Sequence, residues 1–67
     1  MSATTAQRAL IRNLRRELEF DSQYITFLDR RTRIEDKWIG KPLDAYLDSL
    51  TEQQASMYIK KLQGMVS

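Results

Sequence analysis

The chain has 67 residues, 30% of them charged, a formal net charge of +2, and neither cysteine nor histidine. That length allows a single domain, residues 1–67, which buries only about 60% of the surface its unfolded chain exposes. The missing residue types exclude a disulfide staple and the usual zinc ligands. Stability must then come from efficient helix packing, from a partner, or from self-association as a homo-oligomer.

The first predicted helix begins at Thr4 or Thr5, because Thr4 and Gln7 stand at capping-box spacing. Leu10, Ile11, Leu14 and Leu18 then share one stripe of a helix, and residues 6–18 contain no glycine or proline. A break follows at residues 20–22, with Asp21 or Ser22 as the next N-cap. Tyr24, Ile25, Phe27 and Leu28, then Ile34, Trp38 and Ile39, predict a second helix. It runs through residues 29–33, which lack an apolar side chain, and ends before Gly40.

Gly40-Lys41-Pro42 is the strongest punctuation in the chain. Leu43, Leu47 and Leu50 repeat at helical spacing in a short helix of one to two turns. Thr51 and Gln54 cap the last helix, and Leu50 is placed to staple onto Ala55. Ala55, Tyr58, Ile59 and Leu62 form its buried stripe, and Gly64 fits the C′ position that needs positive φ, with residues 65–67 frayed beyond it. The fold class is all-α: a small antiparallel bundle of three main helices plus one short helix after Gly40-Lys41-Pro42. The Thr-x-x-Gln openings of the first and last helices reflect shared capping chemistry, not a repeat, because the apolar positions after them fall out of phase.

No window approaches the roughly 18 consecutive apolar residues of a membrane span, and the N-terminus lacks the apolar core of a secretory signal. Residues 1–16 have the composition of a transit peptide, but their leucine stripe reads as part of a domain core. Absence of cysteine fits a reducing, cytoplasmic setting.

Catalysis near neutral pH needs proton-transfer groups or an activated nucleophile. Asp44 and Asp48 share a helix face, which reads as a solvated surface. There is no phosphate loop, calcium loop or zinc spacing, so neither metal nor cofactor is expected. A bundle this small is also expected to lack room for a pocket of about 300 Å³ or more. The expectation is a protein that is not an enzyme.

What remains is surface charge. Residues 1–20 carry Arg8, Arg12, Arg15 and Arg16 against Glu17 and Glu19, while the later segments balance. Arg8, Arg12 and Arg15 fall within about 60° of one another, opposite the leucine stripe, with Arg16 alongside. Such a row could contact successive phosphates of DNA or RNA, since guanidinium binds phosphate oxygens bidentately. The bland alternative is a solvated face of local Arg–Glu pairs. Arg30, Arg31 and Arg33 form a second basic cluster. Trp38 and Tyr46 are expected in the core, with base stacking or a partner hot spot as the other possibility.

The two ends of the chain carry a further signal. Thr4-Thr5-Ala6-Gln7-Arg8 runs into Ile11 and Leu14. Leu50-Thr51-Glu52-Gln53-Gln54-Ala55-Ser56 runs into Ile59 and Leu62. Together they resemble a short helical module of bacterial and phage proteins, more faintly small phage regulators of the Mu GemA type. That module usually joins its two helices by a short loop, whereas residues 21–49 stand between them here. The resemblance implies a bacterial or phage origin and a tilt toward nucleic-acid-linked roles. The charge pattern, not the resemblance, makes Arg8, Arg12, Arg15 and Arg16 the expected nucleic-acid contacts, with Arg30, Arg31 and Arg33 assisting. The competing expectation is a phage-type interaction module or inhibitor that docks on a host or phage protein through Trp38 and Tyr46.

Overall fold

The computed structural model describes residues 2–21 and 23–66. They form α1 (Thr5–Glu17), a 3-10 helix (Phe27–Thr32), a 3-10 turn (Asp36–Trp38), α2 (Leu43–Asp48) and α3 (Glu52–Val66). Among the described residues there is no β-strand, only the isolated bridges Ser2–Thr51 and Tyr24–Pro42. The protein is a small all-α bundle.

Both expected capping boxes form. The Gln7 amide donates to Thr4 Oγ1 at 3.0 Å and the Thr4 amide to Gln7 Oε1 at 2.9 Å. Thr51 and Gln54 repeat the exchange at 2.9 and 3.1 Å. Gln7 Nε2 also donates to Glu52 O and Ser56 Oγ, and Ala3 N donates to Leu50 O. These bonds hold the first turns of α1 and α3 side by side. The antiparallel relation expected of chain neighbours therefore does not describe this pair, which are not chain neighbours.

The core collects Ile11 and Leu14 of α1, Leu43 and Leu47 of α2, and Ala55, Tyr58, Ile59 and Leu62 of α3, with Ile25, Ile34 and Phe20 from the connections. The buried stripe of α1 is Ile11, Leu14 and Arg15. Leu10, expected inside, is 39% exposed. The stripe keeps Ile11 and Leu14 and exchanges Leu10 for Arg15, which rotates its centre by roughly 40° about the helix axis.

The continuous second helix does not form. Residues 29–33 offer no apolar side chain to carry a stripe, and local polar groups capture the backbone instead. Thr26 N donates to Asp29 Oδ2 at 2.9 Å and Leu28 N to Thr26 Oγ1 at 3.3 Å, which starts the 3-10 helix. Arg33 ends it at φ 63, in the left-handed region. Ile25 N donates to Lys41 O, Gly40 N to Ile25 O, and Leu43 N to Gln23 O, so extended backbone lies where helix was expected. Gly40 makes the turn at φ 88. Phe27, placed in the helical stripe, is 69% exposed, and Tyr24 is exposed with it.

Two cap assignments also change. Asp21 Oδ1 accepts from Gln23 N and Tyr24 N at 2.7 and 3.0 Å, closing a turn of the connection, not a helix start. Those two bonds hold the Asp21 carboxyl below its usual range. The alternative cap, Ser22, lies outside the described residues, as does Ser67. Gly64 is not a C′ residue: α3 runs through it to Val66, and Gly40 is the glycine with positive φ. The left-handed helix end belongs to α1, where Glu19 has φ 63 and Phe20 N reaches back to Arg15 O at 2.9 Å.

Candidate functional site

The arginine row of α1 meets carboxylates from distant parts of the chain. Arg8 Nη2 lies 2.6 Å from Asp48 Oδ1, and Arg12 pairs with Asp44. The earlier arginine meets the later aspartate, so α2 crosses α1 antiparallel with its acidic edge on the basic one. Asp44 and Asp48 are thus not a merely solvated pair. Each lies mostly exposed, where an ion pair contributes about 0.2–1 kcal/mol.

Arg15 is not on the surface row at all. Its side chain is 0% exposed and paired with Asp29, also 0% exposed, at the start of the 3-10 helix. Nη1 further donates to Tyr58 Oη at 3.1 Å, and Nη2 to Asp21 O at 2.6 Å and Tyr24 O at 3.2 Å. The Phe20 ring covers the guanidinium at 5.6 Å. Arg15 Nε has no hydrogen-bond partner among the described residues. Burial opposes the charge, but the hydrogen bond to Asp29 and the attraction of Tyr58 and Asp29 outweigh it, so the Arg15 pKa stands above its usual value. The reason for its position is the same Asp29: one carboxylate caps the 3-10 helix and neutralises the buried cation.

Arg16 is exposed beside this row. In the second cluster, Arg30 Nε lies 3.2 Å from Asp36 Oδ1, while Arg31 and Arg33 are exposed and make no ion pair among the described residues.

Trp38 and Tyr46 are half-buried and pack on the core. They also wall a groove of about 380 Å³, contrary to the expectation that so small a bundle has none. The 3-10 helix and the turn after it do not fill the flank of α3 as a full helix would. The trough left behind is lined by Trp38, Tyr46, Tyr58 and Met57 and rimmed by Arg33, Lys37 and Lys61. Trp38 meets Tyr46 edge-on at 5.3 Å, and Tyr46 meets Tyr58 edge-on at 5.6 Å. Lys37 Nζ sits 5.8 Å from the Trp38 ring centroid and 3.5 Å from Glu35 Oε2. Burial, with the nearby Tyr58, pushes the Tyr46 phenol up to about 12.

Sequence reasoning missed Asp29, Lys37, Met57 and Lys61. Thr26-x-x-Asp29 has the spacing of a capping pair and could have announced the first. Gln54, Met57, Tyr58 and Lys61 share a face of α3, but nothing in their spacing names the opposite wall. Among the described residues no group of three or more acidic side chains gathers as a metal site, and no helix is long and apolar enough to cross a membrane. The chain matches no protein-family model, no characterised protein and no solved structure.

Proposed function

We propose that this protein works by binding and not by catalysis, as a small interaction module that takes a segment of another protein in the Trp38–Tyr46–Met57 groove. The observation that carries this reading is an open groove with aromatic walls and a Met57 side chain 55% exposed within it. Aromatic residues and flexible methionines dominate protein-binding surfaces because they bury much apolar area and adapt to their partners. Residues 21–49, which stand between the two ends that resemble the bacterial and phage module, supply Arg33, Lys37, Trp38 and Tyr46.

Association with nucleic acid is the second reading. It rests on Arg16, Arg31 and Arg33, three exposed cations with no ion pair among the described residues. Arg8 and Arg12 would join them only by exchanging Asp48 and Asp44 for phosphate, and Arg15 is buried.

Site-specific photo-crosslinking in cells separates the two. A benzophenone side chain at Met57 should give a protein adduct, and one at Ala9, on the exposed side of α1, should give none. Nucleic-acid adducts at Ala9 with no protein adduct at Met57 would reverse the order of the readings.

A further inference from the structure

The groove also constrains the chemistry of its occupant. Its charged lining is three cations, Arg33, Lys37 and Lys61, against one carboxylate, Glu35. Among the described residues the Glu35 carboxylate forms an ion pair only with Lys37, at 3.5 Å, and both side chains are largely exposed, so that pair neutralises little. This differs from α1, where each of Arg8, Arg12 and Arg15 meets a carboxylate of the same chain. Arg33 holds φ 63 at the end of the 3-10 helix, where an L-residue costs roughly 1–2 kcal/mol and glycine would be relaxed. Glu19 holds the same φ at the end of α1, so the conformation is that of a helix end; here it sets the Arg33 side chain at the groove rim.

The aromatic walls bear on the class of ligand. A base-stacking platform needs an open ring face. Here Lys37 lies over Trp38, while Trp38, Tyr46 and Tyr58 lock one another edge to face. Met57, 55% exposed, lines the groove beside these rings and offers a seat for an aliphatic or aromatic side chain. The volume, near the lower end of the roughly 300–1,000 Å³ of ligand pockets, holds one or two such anchors.

We infer that the occupant is an acidic protein segment carrying an apolar anchor, the anchor lodged against Met57 and Trp38 and the carboxylates paired with Arg33, Lys37 and Lys61. This rests on the groove reading above and adds the charge of the partner to it. Charge complementarity at such a rim speeds association and rejects basic competitors more than it raises affinity.

The test is selection from a random twelve-residue peptide library on the intact protein, with counter-selection on Met57→Asp to keep only peptides that need the groove. Retained peptides should be acidic around an apolar residue and should shift Trp38 emission. They should weaken at least about tenfold on the double variant Arg33→Glu, Lys61→Glu. All three substituted side chains are exposed, and far-ultraviolet dichroism of each variant must match the parent. Retained peptides of neutral or basic composition overturn the inference and leave the groove reading standing. No groove-dependent peptide at all, or a random single-stranded DNA or RNA pool that alone shifts Trp38, overturns both.

Discussion

Two basic regions of this molecule differ in where their counter-charges come from. On α1, Arg8, Arg12 and Arg15 stand at helical spacing and look like a phosphate-binding row. The chain answers them itself with Asp48, Asp44 and Asp29, which lie 40, 32 and 14 positions further on. Around the groove, Arg33, Lys37 and Lys61 are scattered in sequence, yet the fold gathers them and supplies only Glu35. A run of like charges along one helix therefore says little about external partners. The informative quantity is charge left over after folding, and that depends on contacts far apart in the chain.

The strongest way to break this comparison is at its buried end. Asp29→Ala leaves Arg15 charged, enclosed and without its carboxylate, a change expected to cost about 3–5 kcal/mol. That approaches the whole stability of about 3–5 kcal/mol expected of an unstapled core this size. The variant should be largely unfolded at 25 °C by circular dichroism. Replacing both partners, Arg15→Met with Asp29→Leu, removes the unpaired charge but also the cap on Thr26 N, and should recover a cooperative urea transition. A fully folded Asp29→Ala protein would show that the pair does not hold the 3-10 helix to α1.

The tyrosines between the two regions make the comparison sensitive to pH. Tyr46 titrates at about 12 and Tyr58 is also raised, both mainly by burial, whereas an unfolded tyrosine titrates near 10. Because the folded values lie higher, the unfolded chain loses these protons first. Stability is thus complete below about pH 10 and falls as pH rises from there toward 12. Urea midpoints measured at pH 9 and 11 should show the fall, and Tyr46→Phe should make it shallower without touching the Arg15 bond to Tyr58. An identical slope in Tyr46→Phe would place the titration elsewhere.

How much of this was legible in the sequence follows the range of each interaction. The caps at Thr4 and Thr51 are written within three residues, and both form as read. The stripe of α1 is written within one helix, yet helical spacing places Leu10 in it and Arg15 outside it, and only the second is settled by a residue outside the helix. The environment of Arg15 depends on Asp29, whose own place depends on the failure of residues 24–39 to form one helix. That failure is visible in part, since residues 29–33 have no apolar side chain. The pairing of residues 23–25 with 40–43, which settles the matter, is a backbone contact that no periodicity encodes. The groove is further still from the sequence, being the space this irregular segment leaves beside α3.

Left-handed residues offer a matched pair of probes. Glu19 and Arg33 both hold φ 63, one at the end of α1 and one at the groove rim. Glycine at either position relieves roughly 1–2 kcal/mol of backbone strain and loses roughly 0.5–1 kcal/mol of chain entropy, for a net gain of about 0.5–1 kcal/mol. Both Glu19→Gly and Arg33→Gly should raise the urea midpoint by similar amounts. Only Arg33→Gly should weaken a groove-bound acidic peptide. Equal binding by the two would detach the strain at Arg33 from any role in recognition.

The smallest effects are expected on the α1–α2 edge. Arg8–Asp48 and Arg12–Asp44 join exposed aspartates to half-buried arginines, each pair expected at about 0.2–1 kcal/mol and reduced by salt. A double-mutant cycle with Arg12→Gln and Asp44→Asn isolates one of them, and its coupling should shrink between 50 mM and 500 mM salt, roughly the range over which the Debye length drops below 5 Å. The same cycle bears on nucleic-acid association. Where Asp44 neutralises Arg12, the single change Asp44→Asn removes that counter-charge and should raise affinity for a DNA oligonucleotide at low salt, while Arg12→Gln leaves the parent's affinity unchanged. If instead Arg12→Gln weakens binding, phosphate displaces the aspartate in the parent protein. The α1 row would then be a binding surface, for all its internal partners.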